Sequence, residues 1–327
     1  MNYSNICLAG VGRYLPEKIV ENAMIAEECQ LEKEFCLQKI GVRERRYELK
    51  LTQSQMGSIA AKEALQDAGM EQIDVDLIIN ASITFERKIP DNAPLIQREL
   101  GASEYGIPSY TVQSGQASFL TALELASNMI NAGRYQCILI VVSEITSQML
   151  DVSKPYAKVL YGDGAGAVVV TASDAEDAHN GKKYNWTDSS KMDVFSANYG
   201  MSMRAVKNVA AEEVAYQFDF DLYQKTYSTM LGVVIEDAVQ DVNDINLCIL
   251  QCGAKVEKIS ELEGMKVFSA TEKYGLCGAA SLCLTLYDVI KNNEIQEGQN
   301  VLMATVGDGL TASALVLQYK KMRRARR

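Results

Sequence analysis

Short, nearly continuous apolar runs alternate along the chain with stretches whose apolar positions recur every three or four residues, the pattern of a layered α/β protein. Residues 6–11 read as a strand, and residues 52–68 as an amphipathic helix stopped by Gly69. Residues 75–83 give a buried-strand pattern, residues 93–100 a helix stopped by Gly101, and residues 110–112 a short strand. A long helix is predicted from Ala117 through Phe119, Leu120, Leu123, Leu125, Met129 and Ile130 to Gly133, followed by a strand over 137–142. The second half repeats this order: helix 223–239, strand 247–250, a short helix after Ala254, strand 267–269, helix 279–290, and strands 301–305 and 312–319. Two similar α/β halves in tandem, residues 1–172 and 173–327, are expected. No Pro- or Gly-rich linker separates them, so they should share one core.

Composition narrows the function classes. A 48% hydrophobic and 23% charged chain of 327 residues can bury a large core. It carries no apolar run of membrane-spanning length. The first residues enter a strand without a basic segment and apolar leader, so cytoplasmic placement is expected. A net charge of −10 argues against a nucleic-acid footprint, although the tail, residues 320–327, is basic. The plain account of that tail is a solvated chain end. The eight cysteines are expected to be reduced; Cys7, Cys137, Cys248 and Cys283 sit within apolar patterns. The lone histidine, His179, lies in a polar stretch far from any cysteine pair, so neither a zinc site nor a resident cofactor is expected.

Four motifs change the picture. They are residues 10–22, starting Gly-Val-Gly-Arg-Tyr-Leu-Pro; Lys39-Ile-Gly-Val-Arg-Glu-Arg-Arg46; Gly162-Asp-Gly-Ala-Gly-Ala167; and Gly307-Asp-Gly-Leu-Thr311. In this order the chain resembles the ketoacyl-acyl-carrier-protein synthase III family of thiolase-like condensing enzymes, over nearly its whole length. The resemblance implies a thiolase-like α/β fold, with mixed sheets and central buried helices. It also implies acyl transfer to a cysteine at a helix start, followed by decarboxylative condensation assisted by histidine and asparagine.

At the positions that match this triad the chemistry has changed. The family's Ala-Cys-x-Gly-Phe matches Gly115-Gln-Ala-Ser-Phe119, placing Gln116 at the cysteine. Its Asn-Thr-Ser-Ala-Ala-Ser matches residues 276–281, placing Leu276 at the asparagine. The histidine position falls on Gln251 or Cys252, depending on a one-residue gap. An amide forms no acyl thioester, and general acid–base groups and oxyanion donors contribute about 10² to 10⁴ in rate. Where the family grips coenzyme A, the resemblance places Phe35, Lys39, Pro155 and Glu257, the last a charge reversal, so no bound coenzyme is expected. The segment from Ala254 to Gly275 is shorter than the family's.

Each position also has a plain packing role. Gln116 can fill a pocket or hold a carboxylate; Ser114 can cap a turn; Cys252 and Cys277 can be small hydrophobes or a relocated thiol nucleophile. Gly162, Gly164 and Gly166 allow close backbone approach, whereas Asp308 makes an acyl pocket less apolar. The leading expectation is a non-catalytic subunit that supports an active paralogue in a heterodimer for fatty-acid or polyketide-type synthesis. Pairing is expected through the strand at 137–142, with Ile89, from the loop at 88–91, donated to the partner's pocket. Acyl carrier protein is a candidate partner. The rivals are an acyltransferase, ketoacyl synthase or malonyl decarboxylase working through Cys252, Cys277 or Gln116, and a homodimeric scaffold or acyl-ligand sensor.

Overall fold

The computed structural model describes residues 6–29, 31, 36–87, 89–150, 155–173, 183–196, 215, 217–242, 244–253 and 259–321. The strands of the first sheet are β1 (Ile6–Tyr14), β2 (Leu77–Asn80), β3 (Ser109–Thr111), β4 (Cys137–Glu144) and β5 (Gly164–Ala172), in spatial order β1-β5-β4-β2-β3. Those of the second are β6 (Lys183–Thr187), β7 (Ile245–Gln251), β8 (Lys266–Phe268), β9 (Asn300–Gly307) and β10 (Thr311–Gln318), in order β6-β10-β9-β7-β8. The two sheets follow one plan. In each, the first two contacts in the spatial order are antiparallel and the last two are parallel. Strands β5 and β6, and two short two-stranded pairs, Lys18–Glu21 with Glu44–Tyr47 and Phe195–Ser196 with Gln217–Phe218, are additions to the elements read from the apolar pattern.

Alternation along the strands assigns five layers. Leu77, Ile79, Ile138 and Ile140 of the first sheet share a core with Leu247, Ile249, Val301 and Met303 of the second. Between the sheets lie α3 (Ser118–Asn131) and α5 (Ala280–Lys291), contributing Phe119, Leu123, Leu282 and Leu286 to that core. The opposite faces, through Ile78 and Leu139 and through Cys248 and Leu302, pack on outer helices. These are α1 (Gln53–Ala68) and α2 (Asn92–Leu100) on one side, and α4 (Phe220–Asp241) on the other.

Local chemistry fixes the outer contact. Helix α1 starts with a Thr52/Gln55 capping box and ends on Gly69 in the left-handed region. Its alanine face lies so close to β1 that a Cβ on Gly12 would overlap the Ala60 carbonyl oxygen and the Ala64 backbone nitrogen. Gly12→Ala is therefore expected to cost about 3 kcal/mol, the upper end for overpacking, read as a lower urea midpoint with an unchanged m-value.

The expected pairing strand is corrected by this topology. Strand β4 is buried along its whole length and pairs with β5 on one side and β2 on the other. Its ladder has no free edge to offer. The edges of that sheet are β1 and β3; β3 pairs, among the described residues, with β2 alone and leaves Tyr110 exposed.

Candidate active site

The chain ends of β7 and β9 meet the start of α3 between the two sheets. Gly115 takes a φ of 57°, turning the backbone so that Gln116 enters the core just before α3 begins. Gly307 closes β9 directly against it: a Cβ there would overlap the Cβ of Gln116. Gln251 ends β7, paired with Thr305 of β9. Both glutamines are fully buried.

Their amides bind each other. Gln251 Nε2 donates to Gln116 Oε1 at 3.0 Å and to the Gly278 carbonyl at 2.8 Å. Gln116 Nε2, Gln251 Oε1 and Thr305 Oγ1 find no partner among the described residues. Three such orphans cost about 1–3 kcal/mol each, so this polar pocket is not arranged for maximal stability.

Of the two residues considered for the second position, Gln251 touches Gln116. Cys252 instead joins the outer core with Cys248 and Tyr223. Leu276 is buried beside Tyr161, held by hydrogen bonds of its backbone to Leu160 and Gly162. Cys277 is packed against Gly164, its backbone N–H donating to Ser281 Oγ at 2.7 Å. Burial, with Asp163 and Glu144 nearby, pushes its thiol well up, the opposite of what a nucleophile needs. Ser114 Oγ lies 2.5 Å from Thr121 Oγ1, which accepts from Lys183 Nζ, and its backbone N–H donates to Ser118 Oγ. The close-approach role of the glycine segment is visible at Gly162, where a Cβ would run into the Tyr274 carbonyl oxygen.

Asp308 projects over Gly115, whose added Cβ would meet the Asp308 Cβ at 2.9 Å. It lines a cavity of about 270 Å³ walled by Ile83, Phe85, Leu150, Tyr161 and Phe195. Ile89, on the same loop as Ile83 and Phe85, is 76% exposed. Phe35, Lys88, His179, Glu257, residues 254–258 and residues 322–327 lie outside the described residues, as do the side chains of Lys39 and Pro155.

One residue of the site went unmarked in the sequence. Glu144, the last residue of β4, is fully buried; Oε1 accepts from Ile83 N at 2.8 Å, and Oε2 from Thr84 N at 2.9 Å and Thr84 Oγ1 at 2.6 Å. A Cβ on Gly278 would touch its carboxyl at 3.2 Å. Burial raises its pKa to about 8 against the pull of these donors, and the charge of Asp308 adds to the rise. The signal was a carboxylate closing an otherwise apolar strand. Among the described residues no cluster of His, Cys, Asp and Glu is arranged to hold a metal.

Two duplicated five-stranded sheets around paired central helices, with a site at the strand ends and the start of α3, define a thiolase-like protein. Residues 110–189 match the 3-oxoacyl-[acyl-carrier-protein] synthase III family and residues 242–319 its C-terminal region. The beta-ketoacyl-[acyl-carrier-protein] synthase III of Aquifex aeolicus is 31% identical over 323 residues, covering 95% of this chain and 99% of that one. That of Geobacillus kaustophilus is 29% identical, covering 95% and 98%. The chain belongs to the beta-ketoacyl-[acyl-carrier-protein] synthase III family. The crystal structure of an Aquifex aeolicus synthase III superposes with a TM-score of 0.86 at 27% identity, over 96% of this chain and 100% of that one. The priming ketosynthase of the R1128 polyketide pathway shares the fold, with a TM-score of 0.87 at 22% identity, over 98% of each chain.

Proposed function

We propose that this chain is a synthase III-fold subunit that does not condense acyl groups alone and acts by pairing with a catalytically complete paralogue, in fatty-acid or polyketide-type synthesis. The observation that carries this is the hydrogen bond between Gln116 and Gln251. In this reading the two amides stand at the cysteine and histidine positions and Leu276 at the asparagine, so the site has neither a nucleophile nor a base. A buried thiol with a raised pKa, at Cys277, does not replace them. Malonyl decarboxylation at Gln116 is disfavoured because it leans on histidine-type donors to the enolate, and the one histidine of the chain, His179, lies far from Gln116 in sequence.

The pairing surface in this proposal is the edge strand β3 together with the loop bearing Phe85 and Ile89, both exposed in the single chain. An open strand edge beside exposed apolar side chains is a template for a second chain. Cytoplasmic placement and contact with acyl carrier protein belong to the same proposal; no described helix is long and apolar enough to cross a membrane.

Intact-protein mass spectrometry after incubation with acyl-coenzyme A and malonyl-acyl carrier protein is expected to show no acyl adduct and no condensed product. Co-expression with a synthase III-like chain that keeps Cys, His and Asn is expected to yield a mixed dimer. A covalent adduct lost on Cys277→Ala or Cys252→Ala would establish an enzyme instead, and a stable homodimer indifferent to the paralogue would favour the scaffold.

A further inference from the structure

One wall of the cavity is tied to the sheet through a single acid. Ile83, Thr84 and Phe85 line the space of about 270 Å³ together with Leu150, Tyr161 and Phe195. The consecutive backbone N–H groups of Ile83 and Thr84 donate to the two oxygens of Glu144 at 2.8 and 2.9 Å, and the Thr84 hydroxyl meets the same carboxyl at 2.6 Å. Glu144 closes β4, a strand buried along its whole length, so the point of attachment is fixed in the sheet.

The other side chains that hold this wall respond differently to pH. The Thr84 carbonyl accepts from Gln53 Nε2 and Asn92 Nδ2, each at 2.8 Å, and the Ile83 carbonyl from Gln113 Nε2 at 3.3 Å. Side-chain amides do not titrate, so these bonds are the same at any pH. Glu86 does ionise; burial acts to raise it, but hydrogen bonds from Ser54 hold it below its ordinary value, and it stays charged near neutrality. Glu144 is the opposite case. It is fully buried, makes no ion pair among the described residues, and is raised by that burial to about 8 against the pull of its donors. The ionisable groups that face it from other elements are Asp308, on the turn after β9, which adds to the rise, and the Cys277 thiol ahead of α5, itself pushed well up by burial. Neither an acid nor a thiol can neutralise a carboxylate.

We infer that residues 83–87 are a gate on the cavity, latched by the Glu144 carboxyl and released when that carboxyl ionises. With the gate shut, Glu144 keeps its proton at pH 7; with the gate open, water reaches the carboxyl and it ionises as an ordinary glutamic acid does. A carboxylate accepts hydrogen bonds more strongly than an acid, but in the shut gate that gain is smaller than the cost of a buried, unpaired charge. Opening therefore releases a proton and is favoured by rising pH, by about tenfold per unit between the ordinary 4.5 and about 8. The device goes beyond the non-condensing reading and does not depend on it, since the wall opens whether or not chemistry occurs behind it.

Hydrogen exchange of the full chain tests it, read at the Ile83 and Thr84 amides and divided at each pH by the rate of an unstructured chain. From about pH 5.5 to about 7.5 the opening constant of these two amides is expected to rise about 100-fold. It is also expected to exceed that of Val168 and Val170, which are paired on both sides within the first sheet. Glu144→Gln, which cannot ionise, is expected to show no such rise. In the unaltered chain a constant that stays flat would overturn the inference, as would one that falls, because a carboxylate would then hold the wall more tightly than an acid. So would a glutamine variant that keeps the rise, or Ile83 and Thr84 amides that exchange only together with the core. The series on the unaltered chain decides the matter even if the variant does not fold.

Discussion

A protein carrying Gln116→Cys and Gln251→His together is expected to react with iodoacetamide at neutral pH about 10²-fold faster than one carrying Gln116→Cys alone. The two positions already face each other. Gln251 Nε2 reaches Gln116 Oε1 at 3.0 Å; a cysteine sulfur at position 116 stands two bonds short of that oxygen, so an imidazole at position 251 takes its proton directly or through one water. In the single variant the new thiol faces an amide, which neither accepts its proton nor stabilises its charge, and burial keeps it protonated. With Gln251→His added, the thiolate gains a cationic neighbour. Access of the reagent to a buried residue slows both proteins alike and cancels from the ratio. Equal rates in the two variants would mean that positions 116 and 251 do not act as a pair, and the account of the site would fail with them. On the proposed reading, the double variant is expected to condense acyl groups only with Leu276→Asn added, because an isobutyl group donates no hydrogen bond to an enolate.

The layers were legible because both patterns were clean. Unbroken apolar runs over residues 137–142 and 247–250, and the three-to-four spacing of Phe119, Leu120 and Leu123, are what the sheets and the central helix use. The same signal misled on pairing. A run that is apolar on both faces fits a strand at a subunit interface as well as one inside a sheet, and only the ladder partners β5 and β2 distinguish them. The choice between Gln251 and Cys252 was open for a related reason. Adjacent residues at a strand end point to opposite sides, so a one-residue gap exchanges a site residue for a core residue. Gln251 turns toward Gln116 and Cys252 toward Tyr223. A carboxylate closing an apolar strand was the one local sign of Glu144; its surroundings were not legible, because its donors, Ile83 and Thr84, are about sixty residues away in sequence and belong to another strand's loop. That environment is assembled entirely by tertiary structure.

That carboxyl carries the other large expectation, a stability difference between Glu144→Gln and the unaltered chain that grows with pH. In the folded protein Glu144 is raised to about 8 from its ordinary 4.5, chiefly by complete burial, with the donors of Ile83 and Thr84 opposing and Asp308 adding to the rise. Between these two values the unfolded chain has released the proton and the folded one has kept it. The unfolded state then binds fewer protons, so stability falls as pH rises, by up to about 1.4 kcal/mol per unit. Across the window from pH 4.5 to about 8 the loss reaches several kcal/mol, on the order of 4. Glutamine does not ionise, and so its stability lacks this slope. Glu48 and Glu86, lowered by their hydrogen bonds, lose their contribution as pH falls, and Asp163 is raised by burial, but all three are common to both proteins and cancel in the difference. The amide also presents an N–H where Thr84 N or Ile83 N needs an acceptor, which shifts the variant by a constant amount and leaves the slope alone. Urea unfolding of both proteins at intervals from pH 4.5 to 8.5 reads the effect directly. A difference that stays flat across that range would show that Glu144 ionises in the fold as it does in the open chain, and that the loop at Ile83 and Thr84 is held by a charged acceptor.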